Sequence, residues 1–207
     1  MLKKKASKPL KNQMIESALT LSSEEPWECI SLEDIANHAD IEINDALEYF
    51  DDKSDVLVAY GRQIDRQMKE AVSFEHSGEM TTREKLFDIL MERFDIVNEN
   101  RDSVLSILNS FKSDPKQLII SLPHLGKSMT RALNIAEVDT SGFCGMAQVT
   151  GLIGVYLYAL KAWKEDESAD LSKTMAALDK ALDIAEQTAN STIGGNLMSF
   201  VSDFKRN

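Results

Sequence analysis

The 207-residue chain is poor in residues that cross-link, ligate or punctuate: it has two cysteines, four prolines and nine glycines, and aromatics make up 7% of it. Cys29 and Cys144 stand far apart, with no CxxC pair or His/Cys cluster nearby, which excludes a disulfide framework and a zinc site. So little proline and glycine excludes a linker-rich or disordered chain. No apolar stretch of signal-peptide length follows the basic N-terminus. The longest membrane-like segment, Gly151 to Leu160, ends at Lys161, short of the roughly 20 residues a spanning helix needs. There is no Walker loop, dinucleotide-binding glycine turn, His-Glu-x-x-His or nucleophile elbow, and His38, His76 and His124 are scattered without a nucleophile. These absences predict a cytoplasmic, non-enzymatic protein with reduced thiols, no metal and no cofactor.

What the chain does have is helix-forming: alanine, leucine, isoleucine, methionine, glutamate and lysine are plentiful. With 43% hydrophobic and 28% charged residues, it suits one or two globular domains. The net charge of −11 is unevenly spread. Residues 1–23 carry five lysines against Glu16, whereas residues 24–55 carry twelve acids against Lys53 alone. The second segment therefore equals the net charge of the whole protein.

Helical period runs almost throughout, with no strand-like alternation and no internal repeat. Met14, Ile15, Ala18, Leu19 and Leu21 predict a first helix over 12–21, stopped at Glu24-Glu25-Pro26. Ser31 and Asp34 have the form of a capping box, opening a short helix with Leu32, Ile35, Ala36 and Ala39 inward. A second short helix is predicted over 43–50, and a long one capped by Asp52 or Ser54 reaches about Phe74. A break at His76-Ser77-Gly78 precedes a helix opened by Thr81 or Thr82. Val104, Leu105, Leu108 and Phe111 mark another. Asp114-Pro115 is a cap followed by proline, and Pro123 is predicted to kink or end the helix it opens. After a polar connection over 134–141 come two long helices. Met146, Val149, Ile153, Tyr156, Leu160 and Trp163 stripe the first, and Leu171, Met175, Leu178, Leu182, Ala185 and Ala189 stripe the second.

Three short helices, a long connector and a helical body resemble the TetR family of one-component bacterial regulators. The residues that carry the likeness are Ile15, Ala18, Leu19 and Leu21, then Ser31-Leu32-Glu33-Asp34-Ile35-Ala36, then Ile41, Phe50, Lys53 and Leu57. The resemblance implies an all-α, TetR-like fold, with a helix-turn-helix head over 8–53 and a ligand-binding and dimerisation body over 54–190. Residues 191–207 form a tail in which Leu197, Val201 and Phe204 suggest a short amphipathic helix able to touch a membrane. It also implies a homodimer through Gly151, Gly154, Tyr158, Met175, Leu178 and Leu182, and an effector that shifts the spacing of the heads.

DNA contact, so implied, would involve Lys3, Lys4, Lys5, Lys8, Lys11, Ser31, Glu42, Asn44, Asp45, Glu48, Tyr49 and Lys53. The departures fall on this surface: Asp40 stands where the family usually has glycine, Glu42 where it has Ser or Thr, and Leu47 where it favours a phosphate-reaching tyrosine. Phosphate neutralisation by Lys and Arg supplies much of DNA affinity, so the acidic head opposes binding to an operator. Asn44 suits an adenine edge, and Asp45 or Glu48 a cytosine amine.

A small apolar or lipid-like ligand would be lined by Phe87, Leu90, Met91, Phe94, Leu108, Phe111, Leu122, Leu125, Met129, Val149 and Ile153, a set that reads equally as ordinary core. A second resemblance, in Ser103–Leu108 and in Trp163, Asp166, Ser168, Asp170, Thr174, Leu178 and Asp179, is to the TetR-like lipid-binding accessory proteins of coenzyme Q biosynthesis. It implies an alternative function without DNA. The acids of Glu165-Asp166-Glu167 and Asp170 lack a calcium-loop pattern and read as capping and solvated charge.

Overall fold

The computed structural model describes residues 3–72, 80–113 and 115–204, and within them the side chains of 10–72, 80–111 and 122–189. The break at His76-Ser77-Gly78 and the Asp114 cap lie outside the described residues, as do the side chains of Lys3, Lys4, Lys5, Lys8, Leu197, Val201 and Phe204. Among the described residues the elements are helical: α1 (Lys3–Glu24), a 3-10 turn (Trp27–Cys29), α2 (Leu32–His38), α3 (Ile43–Leu47), α4 (Lys53–Ala71), α5 (Thr82–Asn98), α6 (Arg101–Ser113), α7 (Pro115–Ile135), α8 (Gly142–Lys164) and α9 (Ser172–Phe204).

The local signals act as their chemistry requires. The Ser31 hydroxyl accepts from the Asp34 amide, and the Asp34 carboxylate accepts from the Ser31 amide at 2.8 Å. Of the two caps predicted for α4 it is Asp52 that serves, completed by Asp55. Thr81 and Glu84 make the same reciprocal pair at the start of α5. These boxes satisfy amides that have no partner inside the helix.

Four expectations need correction. Backbone helix begins at Lys3 rather than near Asn12, so the lysine-rich stretch is the first turns of α1. Pro123 does not end α7: the helix continues to Ile135. The 191–207 tail is not a separate short helix, because α9 runs unbroken to Phe204. The membrane-like segment was drawn too short: α8, over 23 residues, is long and apolar enough to cross a membrane by length and composition alone. Its apolar run extends upstream of Gly151 to Phe143 without a charge. Part of α8 is committed inside the protein, since Leu152, Val155, Tyr156, Ala159 and Trp163 are buried.

Two compact units divide the chain, residues 1–73 with 92–131 and residues 74–91 with 132–207. In the first, α1 packs against α2, α4 and α6. Met14, Ile15, Ala18, Trp27, Ile35, Ala36, Ala46, Phe50, Val56 and Met68 form its core with Phe94 and Met129. The helix α6 is also bonded to the N-terminal elements. Ser103 Oγ donates to the Leu19 carbonyl at 2.6 Å, and the Trp27 amide donates to Ser106 Oγ at 3.2 Å.

The second unit is built on α8 against α9. Its core includes Trp163, Leu171, Leu178 and Leu182. The α8 stripe is rotated from the predicted one: Met146 is 60% exposed, while Leu152, Val155 and Ala159 take the inward face. Gly145 is forced by packing, because a Cβ there would lie 2.0 Å from the Thr140 carbonyl carbon.

Candidate functional site

A cavity of about 380 Å³ opens in the first unit, between faces of α4, α6 and α7. Its α6 wall is Val104, Ile107, Leu108 and Phe111, spaced three, one and three residues apart, which puts all four on one helix face. The α7 wall is His124, Lys127, Ser128 and Arg131 at the same spacing, with Leu125 beside them. Helix α4 contributes Leu57, Val58, Tyr60, Gly61, Arg62 and Asp65.

Asp65 is buried at the cavity wall and gathers three partners. Arg93 Nη1 donates to its Oδ1 at 2.8 Å, Arg131 Nη1 to its Oδ2 at 2.5 Å, and the Ser128 hydroxyl to Oδ1. Arg93 is buried as well. A buried carboxylate is tolerable because it is paired and hydrogen-bonded on both oxygens. His124 is held below its ordinary imidazole value, first by burial and then by the positive charges of Lys127 and Arg62, with Asp55 opposing.

Of the eleven predicted pocket residues, Leu108, Phe111 and Leu125 line this cavity. Leu90, Phe94 and Met129 have no exposed surface, and Met91 is nearly buried, so these four are packing. Phe87, Val149 and Ile153 are half-buried in the second unit, and Leu122 is exposed. Arg62, Asp65, Arg93, Lys127, Ser128 and Arg131 stand outside the apolar stripes, and His124 counts in the sequence only as one of three scattered histidines. A signal existed in the sequence: a polar 124-127-128-131 face on a helix read as core, and an acid directly after Ile64 in the α4 stripe.

On the α2–α3 surface the structure redistributes the predicted DNA-contacting residues. Glu42, Asn44, Asp45 and Glu48 are exposed around α3, and so is Leu47 at 49%. Helix α3 spans only five residues, and Glu42 makes no side-chain cap. Lys53 is turned inward: its Nζ donates to the carbonyls of Trp27 at 2.7 Å, Ile30 at 2.5 Å and Glu28 at 3.3 Å, and it sits 5.1 Å from the Trp27 ring centroid. Lys53 thus caps the 3-10 turn. The Ser31 hydroxyl is used within its capping box. Lys11 lies over the Tyr49 ring at 5.3 Å and the Phe50 ring at 6.0 Å.

The predicted dimer residues also divide. Gly151, Gly154, Tyr158 and Met175 are exposed, together with the unpredicted Phe143, Leu157 and Ile184, whereas Leu178 and Leu182 are buried within their own unit. The Trp163–Asp166–Ser168 pattern closes the α8–α9 connection. Asp166 is 1% exposed and accepts from the Ser168 amide at 3.1 Å and hydroxyl, and from the Thr174 amide and hydroxyl, each at 2.8 Å. Burial opposes its ionisation, but these bonds outweigh burial and hold its carboxyl well below the usual carboxylate range. Of the residues that resemble the coenzyme Q accessory proteins, Asp166, Ser168 and Thr174 serve this capping, Trp163 and Leu178 are buried core, and Asp179 pairs with Arg83. Cys29 and Cys144 are free and exposed, and no metal-ligating cluster occurs among the described residues.

No protein-family model matches the chain, and no curated protein matches it. Solved structures do. A TetR transcriptional regulator from Nitrosomonas europaea ATCC 19718 aligns over 86% of this chain and 99% of its own, at 20% identity and a TM-score of 0.67. A TetR transcriptional regulator from Rhodococcus sp. RHA1 aligns over 86% of this chain and 97% of its own, at 16% identity and a TM-score of 0.60. Element order, element lengths and this coverage agree on one conclusion: the chain has the all-α fold of the TetR transcriptional regulators.

Proposed function

We propose that the protein is a cytoplasmic, non-enzymatic regulator of TetR type, which binds double-stranded DNA through its N-terminal helices and a small amphipathic effector in the α4–α6–α7 cavity. The observation that carries this reading is the placement of that cavity. Its apolar wall lies on α6, and α6 is itself hydrogen-bonded to α1 and to the 3-10 turn before α2. A ligand that displaces α6 therefore works against bonds holding the DNA-contacting helices, and its differential affinity for two positions of α6 becomes a change in DNA affinity.

The active species is a homodimer through the outward faces of α8 and α9. Phe143, Gly151, Gly154 and Tyr158 recur along one face of α8, and a Cβ at either glycine would meet nothing within 4 Å. An exposed face of this kind suits close approach by a second copy.

With the Lys53 amine and the Ser31 hydroxyl each engaged in hydrogen bonds of the N-terminal elements, phosphate contact falls to the lysines of α1. The test is selection of genomic fragments at low salt, followed by titrations at several salt concentrations. Binding that weakens with salt, and whose slope flattens when Lys3, Lys4, Lys5 and Lys8 become glutamine, supports the regulator; each lost phosphate contact changes the log–log slope by about 0.9. No binding at low salt to any fragment overturns it and leaves a ligand-binding protein of the same fold.

A further inference from the structure

The cavity of the first unit has two unlike walls. On α6, Val104, Ile107, Leu108 and Phe111 are all apolar; on α7, His124, Lys127, Ser128 and Arg131 are all polar, and two are permanent cations. Arg62 and Arg93 add two more cations, and Asp65 is the one acid among the described lining residues. Asp65 is already engaged by Arg93 and Arg131. Arg62 and Lys127 make no ion pair with a described residue. A chain of net charge −11 thus carries an apolar cavity with positive charge along one side.

We propose that this cavity binds an amphipathic anion, a carboxylate on an apolar chain, whose carboxylate is received by Arg62 and Lys127 and whose chain lies along Ile107, Leu108 and Phe111. This rests on the reading of the cavity as an effector site and adds the chemical class of the effector. A charged ligand head is stabilised where fixed cations stand at the edge of a low-dielectric cavity. A cationic ligand would meet uncompensated repulsion there. The volume sets the size: 380 Å³, at the ~30 Å³ that water takes per heavy atom, holds about a dozen heavy atoms, the size of decanoate. The His124 imidazole is held down first by burial and only then by the positive charges of Lys127 and Arg62. An anion seated beside Lys127 and Arg62 would relieve their repulsion and raise it.

The experiment is isothermal titration of the full chain with decanoate, decan-1-ol and decyltrimethylammonium below their micellar concentrations, with the His124 pKa followed by NMR. Decanoate should bind at least tenfold more tightly than the alcohol, which corresponds to about one charge-assisted hydrogen bond. The ammonium should bind weakest, and His124 should titrate higher in the decanoate complex. A doubly substituted Arg62→Gln, Lys127→Gln protein should lose the preference for decanoate while its affinity for decan-1-ol stays within about twofold, so that loss of fold is excluded by the alcohol itself. Equal or tighter binding of the alcohol or the ammonium overturns the anion assignment and leaves the effector cavity standing. A decanoate preference that survives the double substitution removes Arg62 and Lys127 from the site. If none of the three binds, the effector reading falls with it.

Discussion

Replacing Asp166 by asparagine should destabilise the second unit by about 3 kcal/mol, because its carboxylate is the cap of α9 rather than a ligand or a surface charge. Both oxygens are used, Oδ1 by the amide and hydroxyl of Ser168 and Oδ2 by the amide and hydroxyl of Thr174. The Ser168 hydroxyl in turn accepts from the Ser172 amide at 3.0 Å, so one acid organises the amides of the first turn of α9. A hydrogen bond to a charged group contributes about 1.5–3 kcal/mol. Asparagine keeps one oxygen, loses the charge on all four bonds and turns an NH2 group toward a donor amide, while the two hydroxyls can rotate to accept. The favourable charge at a helix N-terminus disappears as well. For a chain of this size about 3 kcal/mol is a fall of about 6–12 °C in Tm.

The sign of the pH dependence follows from the depressed folded value. The carboxylate stabilises the fold fully above its ordinary pKa of 3.8, and that contribution is lost as the pH falls from there through the lower folded value. Thermal or urea unfolding at pH 7, pH 4 and pH 3 should therefore show a wild-type advantage that is constant from pH 7 to about 5 and narrows by about 1.4 kcal/mol per pH unit below the ordinary value. A variant melting within about 2 °C of wild type at pH 7 would refute the capping role. So would a gap that is the same at pH 3 as at pH 7.

Gly145→Ala should cost at least about 2 kcal/mol, since its Cβ would run into Thr140 backbone rather than a flexible side chain; calorimetric melting beside wild type measures it. Lys53→Met keeps the stem but loses three carbonyl bonds and the contact with Trp27, for about 2 kcal/mol. Unchanged chemical denaturation of that variant would return Lys53 to the DNA surface. Asp65→Ala removes the carboxylate that pairs with the buried Arg93 and should cost about 3–5 kcal/mol, a loss that Asp65→Ala with Arg93→Met should partly recover in the same urea titration. Gly154→Leu should abolish the proposed homodimer in sedimentation velocity without lowering helicity, because leucine is about 1 kcal/mol better than glycine at an exposed helix position; a surviving dimer would move the interface off α8.

Much of the fold was legible because it is written in short-range chemistry. Ser31 with Asp34 and Asp52 with Asp55 are caps whose donors and acceptors lie within one turn, and the structure realises both. The periodic stripes announced helices for the same reason. Of the two outcomes expected at Pro123, a kink or an end, the end does not occur: the one backbone bond that proline removes does not stop the 21-residue α7. The functional surface was harder to read. Leu178 and Met175 belong to one predicted stripe, yet one is fully buried and the other 41% exposed. A periodicity identifies an apolar face but not which partner covers it.

The sequence alone determined that the described residues are helical, where the helix capped by Ser31 begins, and that acids crowd the segment from Glu24 to Asp55, because capping, periodicity and charge are properties of neighbours along the chain. Only the tertiary structure decided that Lys53 faces carbonyls, that Asp166 closes the α8–α9 turn, and that α4, α6 and α7 leave a space with an apolar wall and a cationic one. The reason is one of distance. Asp65 meets Arg131 from 66 positions away, and whether a buried charge is paired or a cavity is left unfilled depends on which remote helix faces come together, a choice made by the packing of the whole unit.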